Sequence, residues 1–557
     1  MHGCLTLIII MSRQGRNIVC QLRAKERENK WNIRRNLNIV KTIVCQEHSS
    51  FKKVWEKVSR SPIAYEGNRI YFDNYRSVYI GHGRQGQPEL LYRLPQCPSK
   101  HKIEDALVCQ FPLDHLPMKH KGFKGHLLAL TRDNWLVRYD LNTGAVLQEL
   151  FLSQRYKFRH LGWQGEGGTI VIRSIHAKLS AMARMAGIIQ PLLMVLAVFS
   201  VLPLQLVAVM EVQKEIFGKD ICDSGISQGA LIIMHQGGTV RLYSFDRIVK
   251  ENTIVHAKLG DMCSVVNGIV GSHPSGIPCT VKLKETPPVL FEVRCHEHNL
   301  QMGGFPWHYI FTPHRNNGVF HVHKVENKKQ AHNGVIDMDL LSLEPDKAVF
   351  HADESGRILH ISGNNIRILK LHSGDNATSE LKECFTITPA SPDGENTASL
   401  LARGEDTGWA LSSSGRIIKK RIFDSSILPT VECIKDVDYE NEMDLLVVTS
   451  VTDTRDDATH VASIGLHDNT TGKLIKQIPL EEEWDETMEH TICFDLDTFA
   501  HIYKSGTSKF HCVLYRLDRT INDEPTRVTR HPRRHEKPVT QGRRTSRRLL
   551  QDAEDDR

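Results

Sequence analysis

No two of the 13 cysteines stand closer than Cys97 and Cys109, with eleven residues between them. That spacing excludes a Cys-x-x-Cys zinc pattern and a compact disulfide framework, and the odd count fits a reducing compartment. A phosphate loop, a Gly-x-Ser-x-Gly elbow, a His-Glu-x-x-His helix and a kinase motif set are all missing. Catalysis and cofactor binding therefore have no residues to stand on, and a non-enzyme without cofactor or metal is expected. The run Leu5 to Ile10 is too short for a signal peptide and has no basic residue before it. The sequons at Asn376 and Asn469 arise readily by chance and do not argue for secretion.

Positive charge is scarce where a nucleic-acid-binding domain needs it. The chain carries +6 overall, but residues 1–60 hold 13 Lys/Arg against 4 acids and residues 527–548 hold 9 against Glu536. Residues 61–526 are left with a net charge of −8. An acidic body with basic ends argues against direct nucleic-acid binding by the fold. Within the C-terminal tail, Arg533-Arg534 and Arg543-Arg544-Thr545-Ser546-Arg547-Arg548 are spaced like a two-part nuclear import signal, so the expected location is the nucleus, including the nucleolus. A polyanion-binding or solubilising tail has the same composition.

What the body does contain is a recurring apolar strand, polar turn with Gly, and second strand. Ala348-Val349-Phe350 leads through Ser355-Gly356-Arg357-Ile358, and Trp409-Ala410-Leu411 leads through Ser414-Gly415-Arg416-Ile417, 59 positions later. Leu231 to Met234 passes Gly237-Gly238 into Thr239 to Tyr243; Asn142-Thr143-Gly144 and Thr470-Thr471-Gly472 are a second pair of matched turns. Glycine suits these sites because tight hairpins need positive φ. Such units over some 450 residues predict an all-β fold, a β-propeller of about seven or eight blades over 61–525. Full Trp-Asp repeat signatures are lacking, since Trp484-Asp485 stands alone. A β-sandwich array or two smaller propellers are the other architectures with this pattern. Long loops are expected at 247–275 and 372–405.

Three segments need separate reading. Residues 1–32 and 526–557 read as disordered and basic. In 33–60, Leu37, Val40, Ile43 and Val44, then Phe51, Val54, Trp55 and Val58, recur at helical spacing, which predicts two short amphipathic helices. They either cap an open blade edge or dock a partner, with Leu37, Val40, Val44, Phe51 and Trp55 as anchors. Ala186 to Met210 is uncharged and long enough to cross a bilayer, but Pro191, Pro203 and its β-branched residues favour strands at Leu192 to Val201 and Gln205 to Val212. Membrane association is possible on length and disfavoured on composition. The histidine clusters, Cys295-His296-Glu297-His298, His308 with His314, and His321 with His323, lack a full ligand set at recognised spacing.

Ser59-Arg60-Ser61-Pro62-Ile63-Ala64-Tyr65, Arg69 to Arg76, Gly304-Phe305-Pro306-Trp307-His308-Tyr309-Ile310 and Val437-Asp438-Tyr439-Glu440 closely resemble the factors associated with the DDB-one adaptor and cullin four. So do Ala197 to Pro203 and Val240 to Phe245, and the likeness runs from about Asn36 to near His511. The resemblance implies a non-catalytic substrate receptor of a cullin-four RING ubiquitin ligase, in which the propeller binds a target not legible from sequence. It also implies adaptor docking through an N-terminal helical segment, placed here at 33–58, and a Trp-Asp-x-Arg pattern. Trp484-Asp485-Glu486-Thr487 lacks the arginine of that pattern, and Trp135-Leu136-Val137-Arg138 lacks the aspartate. A membrane protein anchored by 186–210 and a propeller scaffold outside the ubiquitin pathway are the rival readings.

Overall fold

The apolar run at 186–210 shows how the chain builds its sheets. In a computed structural model it forms two antiparallel strands, Leu192–Val201 and Leu204–Gln213, paired from Leu192↔Gln213 to Val201↔Leu204. The first of them is apolar at nearly every position because both its faces are buried. Leu192, Val195, Ala197, Phe199 and Val201 pack towards the preceding sheet, while Leu193, Met194, Leu196 and Val198 pack towards the following one. No helix among the described residues is long and apolar enough to cross a membrane.

The structure describes the chain from Leu37 to Asp518, except for short internal stretches and most of 110–124, 260–275 and 389–431. Thirty-three strands are assigned there. Five sheets are four-stranded and an eleven-stranded one divides into three more units of four, because the long strand Val289–Gly303 serves two of them. The units in chain order span 64–93, 103–151, 158–213, 221–295, 295–337, 347–387, 432–479 and 489–518, and we number them blades 1 to 8. Eight apolar clusters lie one between each consecutive pair, including blades 8 and 1, so the units close into a ring. First strands of neighbouring blades touch, 103–109 against 158–163 and Glu432–Glu440 against Glu489–Asp495, which turns them to the axis. This is an eight-bladed propeller, at the upper end of the expected number.

Closure uses the beginning of the chain. Strand Ser50–Ser59 pairs antiparallel with Phe510–Asp518, from Ser50↔Asp518 to Ser59↔Phe510, and supplies the outer strand of blade 8. The second predicted helix is therefore a strand, and the boundary at 60/61 falls too late, since the propeller begins at Ser50. A register shift between Lys53 and Trp55 accounts for the helical spacing. The bulge turns Phe51 towards blade 7 and Trp55 towards blade 1, so the apolar positions lose period two and imitate a helix. The first helix does form, at 37–44. Two expected loops are shorter than predicted: the helix Phe245–Asn252, capped by Ser244, occupies the start of 247–275, and Ser379–Ile387 is the fourth strand of blade 6.

The matched glycine turns do one job twice. Asp140 Oδ1 accepts from the backbone N–H groups of Asn142 and Thr143 and from the Thr143 hydroxyl, and Asp468 Oδ1 does the same for Thr470 and Thr471. The glycines that follow, Gly144 at φ 68° and Gly472 at φ 72°, leave room for a ring from the preceding blade. A Cβ there would stand 2.4 Å from Tyr92 and 2.3 Å from Phe385 respectively. The copy at 409–419 makes a two-stranded hairpin in the connection from blade 6 to blade 7, and among the described residues it pairs with no further strand.

Candidate interaction surface

The helix 37–44 places Val40, Ile43 and Val44 at i, i+3 and i+4, and this stripe packs on its own propeller. Val44 is fully buried and Val40 and Ile43 half-buried against the cluster that holds Met443, Leu445 and Ile478 of blade 7. The C-terminal end of the helix is tied down by Lys476, whose Nζ donates to Gln46 O at 3.0 Å and to Ser49. A cation at that position also suits the helix dipole. On the other flank Lys41 Nζ reaches Asp444 O at 3.5 Å. Outward remain Asn38, Thr42 and Ile39, the last 47% exposed, with Leu37 half-buried beside them.

The five predicted anchors are consequently not one surface. Phe51 is buried between Phe494 and Phe499, at ring distances of 5.7 and 5.4 Å. Trp55 sits across the seam to blade 1, 6.0 Å from Phe72 and 5.8 Å from Tyr79, beside Lys57 Nζ lying 3.9 Å over the Tyr79 ring. Val40, Val44, Phe51 and Trp55 hold the ring together, and Leu37 alone borders the open face. The import-signal arginines, Arg533, Arg534, Arg543, Arg544, Arg547 and Arg548, lie outside the described residues.

A polar network that the sequence did not announce joins this helix to blades 6 and 7. Arg357 donates to Asn469 O at 2.6 Å, to Asn469 Oδ1 at 2.8 Å and to the Asp353 carboxylate. Asn469 Nδ2 divides its two protons between Asp353 Oδ2 at 3.3 Å and Asp444 Oδ1 at 2.7 Å, and Tyr439 OH donates to Asp444 Oδ1 at 3.1 Å. Burial opposes charge on Asp353, but the neighbouring His351 and hydrogen bonds from Ser355 and Arg357 prevail and hold its carboxyl far below the usual range. Asn469 is 4% exposed with both amide protons engaged, so its sequon cannot carry a glycan in the folded chain. The signal that could have found the network was the pairing of a Ser-Gly-Arg turn with an Asn-Thr-Thr-Gly turn.

Chemistry can be weighed at the side chains that invite it. Cys222 Sγ lies 3.8 Å from His298 Nε2, yet that nitrogen must carry its proton to donate to His235 O at 2.8 Å. It cannot take the thiol's proton, and burial pushes the thiol pKa up, so Cys222 is no nucleophile. His321 and His323 share one face with rings 6.1 Å apart, and burial lowers the pKa of both. Among the described residues no three His, Cys, Asp or Glu side chains converge on a metal position. Trp484-Asp485-Glu486-Thr487 lies in the connection from blade 7 to blade 8. Its Trp484 is buried on His490, and Asp485 Oδ1 accepts from Thr487 N at 2.8 Å and Oγ1 at 2.6 Å.

The family described as DDB1- and CUL4-associated factor 17 matches residues 35–517. A protein of that description from Danio rerio is 42% identical over 497 residues, covering 88% of this chain and 92% of the relative. One from Homo sapiens is 40% identical over 503 residues, covering 89% and 94%. Among solved structures, the C-terminal WD40 domain of Sif2 aligns over 84% of this chain and 99% of its own at 9% identity, with a TM-score of 0.36.

Proposed function

Because the chain belongs to the DDB1- and CUL4-associated factor 17 family, we propose that it is a substrate receptor of a cullin-four RING ubiquitin ligase, bound to the DDB1 adaptor through the outward face of the helix 37–44. The observation that carries the docking assignment is Ile39, a large apolar side chain left 47% exposed beside half-buried Leu37 on a helix whose Val40, Ile43 and Val44 are already packed on the propeller. Apolar anchors surrounded by small polar groups are what interfaces bury first. The propeller loops are left to hold the target, and no side chain described above supports catalysis.

Replacing Leu37 and Ile39 together by Asp is expected to lower adaptor co-purification at least about tenfold, since two lost anchors of ~1 kcal/mol or more each suffice. The thermal transition should stay where it is. Retained co-purification with both substitutions would remove the helix face from the interface.

The arginine-rich tail supports a nuclear location. Alanine at Arg533, Arg534, Arg543, Arg544, Arg547 and Arg548 should move a fluorescent fusion from nucleus to cytoplasm. An unchanged nuclear signal would assign import to another segment or to a partner.

A further inference from the structure

The face of blade 8 that packs on blade 7 carries a stack of rings across its three C-terminal strands and the connection before them. Trp484 lies 3.8 Å from His490 and 5.8 Å from His501, His490 and His501 each neighbour Tyr503 at 5.7 and 5.1 Å, and Tyr503 stacks on His511 at 4.7 Å. Within the stack His490 Nδ1 and His501 Nε2 are 3.0 Å apart, and His490 Nε2 lies 2.9 Å from Asp485 O. The carbonyl can only accept, so His490 carries its proton on Nε2 and its Nδ1 accepts from His501 Nε2–H. His501 is fully buried, and its Nδ1 has no hydrogen-bond partner but faces Glu482 Oε2 at 3.8 Å. Glu482 in turn accepts from Tyr515 OH and pairs with Lys53 of the closing strand at 3.0 Å.

We propose that His490 and His501 form a proton-operated lock on ring closure, in which the second proton taken up by the pair releases the strand Ser50–Ser59. The first proton has a place to go, on His501 Nδ1 against the Glu482 carboxylate. A second must enter at His490 Nδ1, where it meets the His501 Nε2–H head on at 3.0 Å. Two facing N–H groups on two imidazolium rings cannot coexist in that contact, so the stack must part. Its parting pulls His501 from Glu482 and strains the Glu482–Lys53 link, one of two ties to the closing strand, the other being His511 Nδ1 at 3.9 Å from Glu56.

Charged and titratable groups face the pair from every element packed against it. From the connection come Glu482 and Asp485, the latter already engaged by Thr487; from the blade come Tyr503, His511 and Tyr515; from the closing strand come Lys53 and Glu56, paired with each other at 2.9 Å; and His460 of blade 7 stands near Asp485. Of the carboxylates, Asp485 favours charge on His490, but burial outweighs it. Burial holds its pKa below 6.5, and the neighbouring His501, Tyr515 and Lys53 together overcome burial to bring Glu482 to about 2. The sign follows: a depressed histidine stabilises the neutral form at pH above its ordinary value, and that stability is lost as pH falls below about 6.5. The lock concerns closure itself and stands whether or not the helix meets an adaptor.

Amide exchange on the full chain, corrected for intrinsic rates, tests it at pH 7.5 and 5.5. Protection of 50–59 and 510–518 is expected to fall at least about tenfold at the lower pH while Leu192–Val201 of blade 3 keeps its own. His490→Phe, which keeps a ring on Trp484 and Tyr503 but has no nitrogen to charge, should remove that pH dependence. If it proves poorly folded, His490→Gln serves the same comparison. Equal loss in blade 3, no loss at 50–59, or the same loss in both variants would each overturn the lock.

Discussion

A chain that starts at residue 61 is expected to lose the cooperative thermal transition of the propeller, not merely a docking arm. Its last three strands would be left with an open edge at Phe510–Asp518 and with Phe494 and Phe499 stripped of their cover. The milder change Phe51→Ala isolates the packing part of the effect, about 3–5 kcal/mol for removing a buried phenylalanine ring. Urea unfolding followed by tryptophan fluorescence reads both. A truncated chain with an unchanged midpoint would mean that blade 8 closes without its outer strand, and that 50–59 is free to serve a partner after all.

The second large effect is expected at Arg357. Arg357→Ala leaves Asp353 with a side chain 10% exposed and its main cationic partner gone, and breaking a buried pair on one side costs about 3–5 kcal/mol. Removing both charges should hurt far less than removing one, so Arg357→Met with Asp353→Leu is expected to recover much of the loss. Denaturation of the two variants decides it. Should the double variant be no more stable than Arg357→Ala, the cost lies in the bonds to Asn469 and not in the stranded carboxylate.

What the residues disclose and what they hide divides along physical lines. The strands at 192–201 and 204–213 were legible because Pro191 and Pro203 mark their limits and because a strand buried on both faces needs an unbroken apolar run. The turns at Gly144 and Gly472 were legible for a similar reason, each being a local requirement for positive φ. What escaped was non-local. Nothing near Phe51 shows that its partner strand lies more than 450 residues away, and the bulge at Lys53/Trp55 disguises the period that would have marked a strand. The Arg357–Asn469 contact spans 112 residues and two blades, so neither turn alone hints at it. Of the candidate surface, Leu37 borders the open face, whereas Ile39 sits off the apolar stripe, so spacing does not mark it and packing leaves it available.

The pairing of Ser50–Ser59 with Phe510–Asp518 also orders events on the ribosome. The strand made first is the last to find its neighbour. At about 5–20 residues per second its partner follows roughly 20–90 s later, and for that interval Phe51 and Trp55 belong to no sheet. Seven blades can form in sequence behind an unpaired leader, so synthesis of this chain passes through a ring missing one outer strand, and that open edge is the form chaperones and stray strands would meet.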